Sequence, residues 1–159
     1  MLSLVKVLLT VLLASAAEAK VCGWGEIGPT DDYHALLTAG CSEVHLEHRP
    51  GMKGHEKQIG DLGAWKLARE LVNDRSITKL TLVGQGIGPA GAAELAEMLK
   101  TNTAIVALDV IDNAIGSEGT AVLAEALKEN YVLTSLLANV GDDGATAIVE
   151  ARALRPTAL

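Results

Sequence analysis

Three copies of one phrase, each 28 residues from the next, constrain this chain more than any other feature. Ile59-Gly60-Asp61-Leu62-Gly63-Ala64 returns as Ile87-Gly88-Pro89-Ala90-Gly91-Ala92 and again as Ile115-Gly116-Ser117-Glu118-Gly119-Thr120. Each leads into the same run of Leu-Ala-x-x-Leu, ending at Leu71, Leu99 and Leu127, and each run gives way to a strand-like stretch of the type Leu-x-x-Leu-x-Leu. A fixed period of this size means supersecondary units stacked side by side, each burying its apolar face on the next, and not one closed globule.

The period sets the elements. Helices are predicted near 61–73, 89–101 and 117–129, with a less regular one at 143–153. Pro89 sits at a first-turn position, where its missing N–H does no harm. Ala68, Ala96 and Ala124 recur at one site, where a small side chain lets the helix lie close to the strand layer. In Ile77-Thr78-Lys79-Leu80-Thr81-Leu82-Val83 apolar residues alternate with Lys79 and Thr81, so one face of the sheet is wet. The array weakens at its end: Gly119 to Gly144 is 25 residues, and Arg152 stands where Leu71, Leu99 and Leu127 stood.

The first unit is longer. Cys41 to Ile77 is 36 residues, and the excess of eight falls in the 49–58 loop, Arg49 to Gln58; loops carry function more often than scaffolds do, although a surface insertion also costs little. Residues 20–40 read as an N-terminal cap, irregular over Lys20 to Thr30 because turn formers dominate there. A short helix follows, with Thr30 as N-cap, Asp31 and Asp32 at its positive end, Tyr33, Leu36 and Leu37 as its apolar stripe and Gly40 as its stop. Trp65 replaces the Ala93 and Ala121 of the other helices, and the expectation is that the cap covers it.

Residues 1–19 have the pattern of a signal peptide: Lys6, an apolar run from Val7 to Ala14, and Ala17-Glu18-Ala19 as a small-x-small cleavage site. That run falls short of the about 20 apolar residues a membrane span needs, so the expected product is secreted, without a membrane span after cleavage. A buried N-terminal helix and a short signal anchor are the other readings. Cys22 and Cys41, the chain's two cysteines, are then expected to form a disulfide, the alternative being reduced and buried thiols. From Lys20 onward the chain carries 12 basic and 19 acidic residues, a net charge of −7. That excludes phosphate-tracking nucleic-acid binding, which needs a basic footprint. Residues 77–159 hold −5 of the total, which favours a basic partner; a solvated acidic helix face explains the same charge.

Leu-x-x-Leu-x-Leu-x-x-Asn followed by Ile-Gly-x-x-Gly-Ala-x-x-Leu-Ala-x-x-Leu resembles the ribonuclease-inhibitor type of leucine-rich repeat over about residues 41–152. Asn113 fits the family's asparagine position, whereas the equivalent sites carry Arg49 and Gln85. The resemblance implies an α/β solenoid of about four repeats over 41–154, with parallel strands on the concave side, helices outside and a 155–159 tail. It also implies recognition of proteins by the concave face and brings no enzyme activity. That face would present Glu43, His45 and Glu47 from the first strand, Lys79, Thr81 and Val83 from the second, Ala107, Asp109 and Ile111 from the third, and Ser135, Leu137 and Asn139 from the fourth. The expected function is a non-catalytic, secreted protein-binding module without metal or cofactor. Its ligand is a protein or peptide, with a basic one favoured by charge.

Other chemistries fit less well. Gly86-Ile87-Gly88-Pro89-Ala90-Gly91 spells G-x-G-x-x-G before a helix, with Asp112 beyond it, as in dinucleotide-binding folds. Strands of those folds are apolar on both faces, and Lys79 and Thr81 break that rule here. His45, His48, His55 and Glu47 lack metal-ligand spacing, since His45 and His48 fall on opposite strand faces. A Cys41 nucleophile would sit in a buried slot. The Ran GTPase-activating protein family is similar in repeat type and carries an early loop insertion with a basic residue, a place taken here by Arg49 and Lys53; an arginine there can neutralise phosphate charge. Two structural alternatives stand beside these: self-association through the poorly covered C-terminal end, and a truncated piece of a longer array.

Overall fold

The computed structural model describes residues 19–24, 32–48 and 58–139. Five parallel strands form one sheet in sequence order: β1 (Val21–Cys22), β2 (Glu43–Glu47), β3 (Lys79–Val83), β4 (Ala107–Asp109) and β5 (Ser135–Leu137). The helices are α1 (His34–Thr38) before β2, then α2 (Gly60–Leu71), α3 (Pro89–Thr101) and α4 (Gly116–Glu129), each between successive strands. The class is the expected α/β leucine-rich-repeat solenoid. The 143–153 helix, the 155–159 tail, the 1–18 part of the leader, Thr30 and the loop at 49–57 lie outside the described residues.

Alternation along the strands decides which side is core. Val44 and Leu46, Leu80 and Leu82, and Leu108 are all but inaccessible, and they join one apolar cluster with Leu67, Leu71, Leu95, Leu99, Leu123 and Leu127 from the helices. Every apolar strand residue of that set therefore faces the helix layer, and the intervening positions face away from it. The recurring alanines lie in the same cluster, where a larger side chain would push helix from sheet.

The repeated glycines have two different tasks. The first of each pair opens the helix: Gly60 and Gly116 have φ of 57° and 65°, a left-handed region that only glycine enters cheaply. Gly88 instead is extended, as the residue before Pro89 must be. The second glycine of each pair allows close stacking. A Cβ on Gly91 would come within 2.6 Å of Asp61 Oδ1, and one on Gly119 within 3.0 Å of the Ala92 Cβ in the preceding helix. Asp61 Oδ1 accepts from Gly88 N at 2.7 Å and Gly91 N at 2.9 Å, so the start of α3 leans on α2. The G-x-G-x-x-G spelling is thus accounted for by helix stacking.

Polar ladders tie the units together at both ends of the sheet. Asn113 Nδ2 donates to Leu82 O at 2.6 Å and Val110 O at 2.9 Å, while its Oδ1 accepts from Ile87 N at 3.0 Å. Gln85, in the same register, is fully buried and reaches only its neighbour Val83 O, at 3.0 Å. A second ladder stands at the helix-to-strand turns. Asn102 Nδ2 donates to Leu71 O and Asp74 O, and Asn130 repeats this on Leu99 O and Asn102 O. Each Oδ1 accepts from two backbone N–H groups of its own turn.

The segment before β2 departs from expectation in three ways. Val21–Cys22 is not irregular but pairs with Glu43 and Val44 as a fifth strand. Lys20 O accepts from Ser42 N and Glu43 N, as Thr78 O and Val106 O do for the strands after them. Helix α1 begins at His34 after Tyr33, which makes no side-chain cap, and it buries Leu36. Trp65 is covered only in part, with 37% of it exposed beside Tyr33 and His34. Cys22 and Cys41 are joined by a disulfide that fastens β1 to the entry of β2.

Candidate protein-binding face

The register of the sheet brings the candidate residues into rows. Glu43, Lys79, Ala107 and Ser135 are in register across β2 to β5, and His45, Thr81, Asp109 and Leu137 form the next row. Glu47 pairs with Val83 in a third row, while Ile111 and Asn139 lie just beyond β4 and β5. A cleft of about 360 Å³ opens over this face. Its lining includes His45 and Glu47 from β2, Lys79 and Thr81 from β3, Ala107 and Asp109 from β4, and Ser135 and Leu137 from β5. Glu43, Val83, Ile111 and Asn139 are outside that lining.

Two positions are less accessible than the alternation alone implies. Thr81 is 5% exposed and Val83 9%. Thr81 is short and lies between His45 and Asp109 in its row, so the longer side chains form walls and Thr81 the floor. The most exposed apolar group on the face is Leu137, at 49%, and not Val83.

Charge on the face is unevenly spent. Glu43 Oε2 lies 3.2 Å from His45 Nε2 and 3.7 Å from Lys79 Nζ, so one carboxylate serves both neighbours. Asp109 Oδ1 accepts from Ile111 N at 3.1 Å, and no cation lies within ion-pair distance of Asp109 among the described residues. Asn139 is engaged in the scaffold, where its Oδ1 accepts from Asp112 N at 2.8 Å. Asp112 itself takes φ of 59°, so this turn is held by a side chain and not by a glycine. The face can therefore offer a carboxylate to a cationic group and, on the adjacent strand, an aliphatic surface.

Of the histidines considered for metal, His55 lies outside the described residues. Among those described, no group of three or more His, Cys, Asp or Glu is placed to hold an ion. The loop considered for GTPase activation is described only from Gln58, whose Nε2 donates to Gly84 O at 2.7 Å. No helix among the described residues is long and apolar enough to cross a membrane.

No family model matches the chain, and no curated protein matches it. Solved structures do share the fold. One is leiomodin-1 actin-binding site 2, with a TM-score of 0.66 and 18% identity, over 80% of this chain and 75% of that one. Another is the tropomodulin C-terminal domain of Caenorhabditis elegans, with a TM-score of 0.51 and 15% identity, over 80% of this chain and 93% of that one. At such identities the likeness is one of fold, here of leucine-rich-repeat type. They share the leucine-rich-repeat type of fold without singling out the ribonuclease-inhibitor subtype.

The expectation of a secreted module is corrected by the same finding. The neighbours are an actin-binding site and a tropomodulin domain, neither named as a secreted protein, and they point away from export. The leader reading rested on local composition, and a run of apolar residues after one lysine does not distinguish an exported chain from other N-termini.

Proposed function

We propose that the chain is a non-catalytic protein-binding repeat domain, which seats its partner in the cleft on the open face of the sheet. The observation that carries this reading is that one cleft gathers residues of β2, β3, β4 and β5, on the open side of the sheet. A partner lying across the strands would meet Leu137 as an apolar anchor and Asp109 as a charged one. Specificity then comes from an Arg or Lys of the partner set on Asp109, since a charge-assisted bond to a carboxylate is about twice as strong as a neutral one. Leucine-rich repeats of the ribonuclease-inhibitor type, which the sequence resembles, use the same side of the sheet. The division into a cap over 20–40 and repeats over 41–154 belongs to this proposal, with the cap closing the β2 end of the stack. The named ligand of one structural neighbour, actin, is a protein, which makes actin the first macromolecule to try.

The test is selection of peptides from a random display library on the native chain, with each selected peptide then titrated against the double variant Lys79→Glu with Asp109→Lys. That variant reverses the face while conserving net charge. The expected result is a set of peptides with a basic residue next to an aliphatic one, bound about tenfold or more weakly by the variant. Peptides that bind both proteins equally would remove the sheet face as the site. Co-sedimentation with filamentous actin forms the second arm, read with the same variant.

A further inference from the structure

The helical side of the domain holds a second departure from the repeat, and there the repeat serves as its own control. In α3 and α4 one outward position carries Glu97 and Glu125, and three residues on stand Lys100 and Lys128. Both pairs close as ion pairs within the helix, at 2.6 Å and 2.5 Å. Its hydrogen bond to Glu97 raises the Lys100 pKa above the ordinary lysine value. In α2 the same two positions hold Arg69 and Val72, and the alanine of the other helices is Trp65. The pair is gone, and the Arg69 guanidinium lies over the Trp65 ring at 4.8 Å from its centroid.

A cleft of about 270 Å³ opens at this place, between the start of α1 and the outer side of α2. Tyr33 and Trp65 both line it, two of only four aromatic residues in the chain, which has two Trp, two Tyr and no Phe. At the α1 end Asp32 is present, and His34 Nδ1 lies 2.9 Å from Glu70 Oε2. Lys66 and Arg69 also line it. Of the four basic residues in α2, α3 and α4, these two have no carboxylate within ion-pair distance among the described residues. A partly exposed indole with an arginine stacked on it, beside a tyrosine, brings together the three residue types that dominate binding hot spots.

We propose that the cleft between α1 and α2 is a second protein-docking site, which takes an acidic peptide segment by setting its carboxylate on Arg69 and Lys66 and an adjoining aliphatic side chain on the Trp65 indole. Charge decides the occupant. The outer surface of α3 and α4 is acidic, with Glu94, Glu97, Glu118, Glu125 and Glu129, so Lys66 and Arg69 are where an anionic segment is drawn in on the helical side. The site is separate from the sheet-face cleft and stands or falls without it.

Calorimetric titration of the native chain tests this, with the capped peptide Glu-Asp-Leu-Glu-Leu as probe and its Lys-Lys-Leu-Lys-Leu counterpart as control. Saturable binding of the acidic peptide alone is expected, weakened about tenfold or more by Arg69→Glu and by Trp65→Ala. Both changes install residues that the neighbouring helices already carry, so thermal melting should show the fold intact. The variant Lys79→Glu with Asp109→Lys should bind the acidic peptide as the native chain does. The proposal is overturned if the acidic peptide does not saturate, if both peptides bind alike, or if Arg69→Glu binds unchanged. It is equally overturned if the cleft instead serves anionic lipid vesicles, or a second copy of the chain seen as a concentration-dependent mass that Arg69→Glu abolishes.

Discussion

Asn102→Ala should lower the unfolding free energy by roughly 3 kcal/mol, because it leaves four backbone groups without their partner, two of them in fully buried bonds. Asn102 is 1% exposed. Its Nδ2 serves Leu71 O at 2.7 Å and Asp74 O at 3.1 Å, and its Oδ1 takes Ala104 N at 2.8 Å and Ile105 N at 2.9 Å. Two of those partners belong to the preceding unit and two to the turn into β4, so one side chain both shapes its own turn and fixes the stacking. Asn102→Asp is as informative: it keeps the accepted bonds but sets a carboxylate against two carbonyl oxygens. Asp74 occupies the same register one unit earlier, where its Oδ1 accepts from Ser76 N and Ile77 N and the residue is half-buried. Asp74→Ala should therefore cost only about 1 kcal/mol. Urea denaturation of the three variants gives the comparison, and an Asn102→Ala midpoint like that of the native chain would refute the ladder's role.

Loss of the Cys22–Cys41 bond should cost roughly 3 kcal/mol, from a sequence separation of 19 residues and the loop entropy released in the unfolded chain. The local effect should exceed what that figure implies for the cap. Strand β1 has two residues, and besides the disulfide it is held by the Ser42 and Glu43 N–H groups on Lys20 O and by Lys20 Nζ on Ala39 O at 2.5 Å. The paired change Cys22→Ala with Cys41→Ala, or reduction of the native chain, should accelerate amide exchange in β1 and α1. Amides of β3 and β4 should keep most of their protection, since units of a stack report mainly on their neighbours. Uniform acceleration across the sheet would show that the cap is no separate cooperative unit, and an unchanged denaturation midpoint would show that the bond does not constrain the unfolded chain.

Where a residue's role repeats, the sequence displayed it. The period places α2, α3 and α4 to within a residue or two of the predicted spans, and the alternation of Lys79 and Thr81 with Leu80 and Leu82 gives the orientation of the sheet. The Asp74, Asn102 and Asn130 ladder is equally legible, being spaced by 28 residues, although the repeat pattern marks the asparagine after the strand and not the one after the helix. Features without a period were not legible. Two residues of β1 carry no alternation to detect, and whether Trp65 is covered depends on where a five-residue helix comes to rest. Accessibility along the sheet face depends on cross-strand neighbours, so Thr81, short between His45 and Asp109, becomes a floor that its own sequence context does not announce. Export was inferred from composition at one end of the chain, where no second copy could check the inference.

Carboxylate footprinting of the chain with and without a peptide from the display selection tests the central claim most directly. Carbodiimide labelling with glycine ethyl ester, read by mass spectrometry, reports each exposed Asp and Glu at once. If the open sheet face seats the partner, Asp109 should be protected when the peptide binds, with Glu43 and Glu47 following it, while Glu94, Glu118 and Glu125 on the helices label as before. Protection of the helix glutamates with Asp109 still fully reactive would contradict the account.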